Sequence, residues 1–70
     1  MATRQFTKKQ ILERKDALSR ARRIRTRWVK AARDGGTHIQ EGEKKLLVRL
    51  IALEILNARG VTAFTLADLP

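Results

Sequence analysis

The sequence predicts an all-α fold: a two-helix antiparallel hairpin with a short C-terminal segment packed across it. Three observations predict it. A capping signature at Thr7 opens a long run of helix-forming residues. The pair Gly35-Gly36 interrupts that run once, as a turn between helices does. A second run, from Lys44 to Arg59, is rich in Leu, Ile, Val and Ala and stops at Gly60. The seventy residues form a single small domain. It divides into a flexible N-terminus (1–6), a basic helix (7–34), a loop (35–40), an apolar helix (41–59) and a C-terminal segment (60–70).

The first helix announces its own start. Thr7 suits the N-cap, and Gln10 sits three residues on, where its side chain can return a hydrogen bond to the cap. Phe6 and Ile11 flank that cap at the positions of a hydrophobic staple. The helix is expected from about Lys8 to Arg33. On a wheel, Ile11, Ala17, Leu18, Ala21, Ile24, Trp28, Val29, Ala31 and Ala32 share one face. Lys15, Arg20, Arg22, Arg23, Arg27, Lys30 and Arg33 share the other. Arg14 and Arg25 land inside the apolar arc, so each must either snorkel outward or pair with an acid of the second helix. A helix this long in so small a chain invites a bend near Ser19.

The second helix has two candidate starts, Thr37 with Gln40 or the acidic turn Glu41-Gly42-Glu43, and it ends near Arg59. Its apolar residues point in nearly every direction. One neighbouring helix cannot cover all of them, so the pattern predicts a homodimer or a protein partner meeting Leu47, Ile51 and Ile55. At its end, Gly60 with Leu56 and Val61 fits a Schellman motif. Beyond it, Val61, Phe64, Leu66 and Leu69 are expected to fold back, with Thr65 and Asp68 capping one short turn.

Composition narrows function by exclusion. The chain has no Cys and one His, so neither a thiolate nor a histidine cluster can hold zinc, and no metal or cofactor is expected. His38 reads as a loop residue beside a helix start. Glu13 with Asp16, and Glu41 with Glu43, fit caps and ion pairs better than general acid–base chemistry. With no nucleophile motif and no phosphate-cradling glycine loop, no catalytic residue is assigned and an enzyme is not expected. The most apolar stretch, Leu46 to Leu56, is broken by Arg49 and Glu54 and is too short to span a bilayer. No membrane contact is expected. A cytoplasmic or nucleoid-associated protein of a prokaryotic or phage-infected cell follows.

Charge points to a partner. Of 16 Lys and Arg, 12 lie in residues 1–34, against only Glu13, Asp16 and Asp34. Residues 35–70 are neutral, so the whole net charge of +9 sits in the first half. Residues 20–27 pack five arginines into eight positions. Guanidinium groups grip phosphate through paired hydrogen bonds and stack on bases, which ammonium groups do less well. This run resembles an arginine-rich RNA- or DNA-binding helix. The expected function is therefore that of a small basic nucleic-acid-binding regulator. Its phosphate contacts would come from Arg20, Arg22, Arg23, Arg27, Lys30, Arg33 and Lys15. The alternative is a phage-type regulator that attaches to a host protein machine, such as RNA polymerase or a nuclease, through its basic face and apolar second helix. Trp28 reads as a core anchor between the helices rather than a base-stacking platform.

Residues 53–69 carry one further echo. A helix ending at Gly60, a short extended step and a Thr-capped turn with Leu66 and Leu69 resemble the opening of a winged helix-turn-helix unit. These seventy residues hold no recognition helix, so that family's base-reading role is not carried over.

Overall fold

The computed structural model describes Gln5 to Leu69, and these residues hold two α helices and one 3-10 turn, with no strand. Helix α1 runs unbroken from Lys8 to Asp34, through the position of the expected bend. Helix α2 spans Glu41–Ala58, and the 3-10 turn spans Leu66–Asp68. The helices pack antiparallel: Arg59, at the end of α2, meets Glu13 and Asp16 near the start of α1.

Local chemistry sets the helix ends. The Gln10 N–H donates to Thr7 Oγ1 at 3.1 Å, and the Thr7 N–H donates to Gln10 Oε1 at 2.9 Å. Both halves of the capping box are thus closed. The second start is the acidic one. Gln40 is the N-cap without a side-chain bond, and Glu41 and Glu43 occupy the first turn, where carboxylates suit the helix dipole.

Both helices stop in the same way. Gly36 (φ +88°) and Gly60 (φ +80°) take the left-handed conformation that glycine adopts without steric cost. After α1, the Gly36 N–H donates to the Arg33 carbonyl (2.9 Å) and the Thr37 N–H to that of Ala32 (2.7 Å). After α2, Gly60 donates to Asn57 (3.0 Å) and Val61 to Leu56 (2.9 Å). Each set is a Schellman motif that satisfies two carbonyls the helix would otherwise leave unpaired.

The core is a thin layer between the helices, closed at one end by the C-terminal segment. Helix α1 contributes Ala17, Leu18 and Ala21, and helix α2 contributes Val48, Ile51, Ala52 and Leu56. Phe64 and Leu69 complete it. Ala17, Ala21, Ala52 and Leu56 are wholly covered, the three alanines letting the two backbones approach closely while Leu56 fills the remaining space.

Three sequence expectations change here. The flexible segment 1–6 is only partly within the described residues, since 1–4 lie outside them. Its last residue, Phe6, is held: its ring stacks on Phe64 with centroids 4.4 Å apart, while Ile11, the expected staple partner, is 44% exposed. Trp28 is 53% exposed rather than a core anchor: it lies in a surface groove beside Ile39, Leu46, Leu47 and Leu50. Ile51, expected at a partner interface, is buried in the chain's own core, and Leu47 and Ile55 are half-buried against it. The large apolar side chains that α2 leaves exposed are instead Leu46 and Leu50.

Two arginines lock the C-terminal segment in place. Arg49 donates from Nε to the Leu69 carbonyl and from Nη2 to the Leu66 carbonyl, both at 3.1 Å. Arg14 donates from Nη1 to the Asp68 carbonyl at 3.2 Å. Arg14 thus neither snorkels to solvent nor pairs with an acid of α2. It satisfies the Asp68 carbonyl at the end of a 3-10 turn whose own bonds reach only Thr65 and Leu66. Thr65 and Asp68 close that turn from within, the Thr65 N–H donating to Asp68 Oδ2 at 2.7 Å.

Candidate nucleic-acid interface

Helix α1 is the element that presents the positive charge, over a length of about 40 Å at 1.5 Å per residue. Of the seven cations assigned from sequence, Arg20 alone forms an ion pair among the described residues, with Asp16 at 3.2 Å. Lys15, Arg22, Arg23, Arg27, Lys30 and Arg33 have no carboxylate within 4 Å among the described residues and are solvent-exposed. Three of the acids are engaged in ion pairs. Glu13 and Asp16 hold Arg59 at 2.9 and 2.7 Å, and Glu41 holds Lys44 at 2.9 Å.

The structure divides five of the seven cations between two edges of α1. Arg20, Arg23 and Arg27 gather on one edge, where α2 ends. Together with Arg59 they wall a groove of about 480 Å³ floored by Ile24, Ile55 and Ala58. Lys30 and Arg33 lie on the other edge, in a groove of about 540 Å³ that also takes in Arg25 and Lys44, with Asp34 and Glu41. Arg22 and Lys15 line neither groove.

Arg59, Arg25 and Lys44 are groove cations that reading the sequence missed. A signal for Arg59 was present. In an antiparallel hairpin hinged between Asp34 and Glu41, facing positions keep a constant sum of residue numbers, which brings residue 59 opposite residue 16. Arg25 lies in the apolar arc of α1 but emerges beside the first turn of α2.

Electrostatics follow these contacts. The hydrogen bond from Arg59, aided by Arg20, lowers the Asp16 pKa below the usual carboxylate value. In return, hydrogen bonds to Asp16 and Glu13 raise the pKa of Arg59. The hydrogen bond from Lys44 lowers Glu41, with a smaller contribution from Arg25. At neutral pH Asp16 and Glu41 are therefore ionised beside the cations they pair with.

No family model, curated protein or solved structure matches the chain. Function therefore rests on the geometry. Among the described residues no group of three or more His, Asp or Glu is arranged to hold a metal ion. No helix there is long and apolar enough to cross a membrane. Trp28 lies on neither basic edge. It lines a separate apolar groove with Ile39, Leu46, Leu47 and Leu50, with Glu43 at the side.

Proposed function

We propose that this chain is a small, non-enzymatic nucleic-acid-binding protein of regulatory type, which grips phosphates with the basic face of α1. The observation that carries the reading is the set of exposed cations on one rigid helix, Arg22, Arg23, Arg27, Lys30 and Arg33, without carboxylate partners among the described residues. A surface that only solubilised the protein would gain from interspersed acids. Here Glu13, Asp16 and Glu41 serve Arg59, Arg20 and Lys44 instead. Phosphate oxygens offer these guanidiniums the paired acceptors that their own chain withholds.

Sequence preference is expected to be weak. The basic face carries no Asn or Gln to read adenine, and contacts to phosphate carry no base information. The Arg22 and Arg33 side chains, outside the groove walled by Arg20, Arg23, Arg27 and Arg59, serve as general phosphate contacts.

The test is the salt dependence of binding. Contact with about five phosphates gives a log–log slope of roughly −4.5 on duplex DNA. Replacing Arg22 and Arg33 by Gln should weaken binding to all sequences alike and flatten the slope by roughly 2. Binding that ignores salt, or no binding to DNA or RNA at moderate salt, overturns the proposal.

A further inference from the structure

The groove where α2 ends has a feature that phosphate contact alone does not require: an apolar floor. Ile24 and Ile55 are half-buried there beside Ala58, and four guanidiniums rise around them, from Arg20, Arg23, Arg27 and Arg59. Its volume, about 480 Å³, falls within the range of small-molecule sites. A duplex keeps its bases stacked and offers such a groove only its backbone, which would leave the floor in water. An unstacked base meets both halves of the site. Its faces can lie against aliphatic side chains and guanidinium planes, and its phosphate can bridge to the outer arginines.

The carboxylates prepare the walls for this. Asp16 bonds Arg20 at 3.2 Å and Arg59 at 2.7 Å, and Glu13 adds a second bond to Arg59 at 2.9 Å. Two of the four guanidiniums are thereby set in direction before any ligand arrives. Arg23 and Arg27, which have no carboxylate partner among the described residues, are left for the phosphate.

We infer that this groove binds an unpaired nucleotide of single-stranded or looped nucleic acid, its base on the Ile24–Ile55–Ala58 floor and its phosphate on Arg23 and Arg27. The inference rests on the nucleic-acid reading above and narrows it: the chain prefers unpaired strands to duplex. Ribose and deoxyribose strands share the chemistry and are separated by comparing the two.

The experiment measures fluorescence anisotropy with short oligothymidine, oligouridine and a duplex of matched phosphate count. The wild-type chain should bind at least one single strand about tenfold more tightly than duplex. Ala58→Leu fills the floor on an exposed turn of α2 with a good helix former. It should abolish that preference and leave duplex affinity unchanged. Arg59→Lys keeps the charge but loses a planar wall of the groove, and should also erase the preference while retaining duplex binding. Circular dichroism confirms that both variants keep their helices. Equal wild-type affinities, or a preference that survives both variants, would sink this inference while the phosphate-binding proposal stands. Failure to bind any strand removes both.

Discussion

The Arg49 guanidinium, at mid-length of α2, donates to the carbonyl of Leu69 at 3.1 Å, tying the last described residue of the chain to the second helix. The same side chain reaches Leu66, so one arginine spans the 3-10 turn from end to end. Removing it leaves the part-buried Leu69 carbonyl without that donor and the Leu66 carbonyl with only the Leu69 N–H, at 3.3 Å. Arg49→Leu should therefore cost about 2 kcal/mol, read as a lower urea midpoint. The C-terminal segment should also become the first site of limited proteolysis. Unchanged stability would show that these bonds merely replace water.

Rotation of α2 can be tested by pairing two leucines. Leu56 is wholly buried and Leu50 is 47% exposed. Leu56→Ala should cost about 3 kcal/mol, a large share of the stability of so small a domain. Leu50→Ala should stay within about 0.5 kcal/mol. Equal losses in thermal unfolding would mean that α2 presents a different face to the core.

Glycine substitutions should differ in sign. A Cβ at Gly60 has open space but meets a backbone at φ +80°, so Gly60→Ala should destabilise by about 1 kcal/mol. Gly42 lies in the first turn of α2 with nothing within 4 Å of an added Cβ. Gly42→Ala should stabilise by about 0.5 kcal/mol through helix propensity and reduced freedom of the unfolded chain. Denaturant midpoints for the two variants decide it.

Acid should loosen the contact between the helix ends. The Asp16 pKa in the folded chain lies below its ordinary value of 3.8 because Arg59 bonds the ionised form. A depressed carboxylate stabilises the fold above its ordinary pKa, and that contribution fades as pH falls through the folded-state value. The wild-type chain should therefore lose stability below pH 3.8. Asp16→Asn should be less stable at neutral pH and lose less on acidification. Parallel pH profiles for the two proteins would rule out this role.

Trp28 supplies a direct spectroscopic check. With 53% of its surface exposed, it should emit like a solvated indole and be quenched readily by acrylamide. It lies away from the Arg20–Arg23–Arg27–Arg59 groove, so nucleic acid bound there should leave this quenching nearly unchanged. A blue-shifted, protected emission in the free protein would contradict the described packing.

Local hydrogen bonding made much of the fold legible from sequence alone. Thr7 with Gln10, and Gly60 with Leu56 and Val61, satisfy backbone groups within a few residues of one another, so residue type and spacing suffice to read them. The crowding of arginines on one side of α1 was equally visible, because helical periodicity alone assigns its faces. Only the tertiary structure decided which side of α2 turns inward. Its apolar residues point in nearly all directions, so no single face is marked, and Ile51 went to the core while Leu46 and Leu50 stayed out. The same holds for Arg14, Arg49 and Arg59. Their partners lie 54, 20 and 46 residues away, and contacts across such separations depend on how two helices are rotated and offset, which no local pattern encodes.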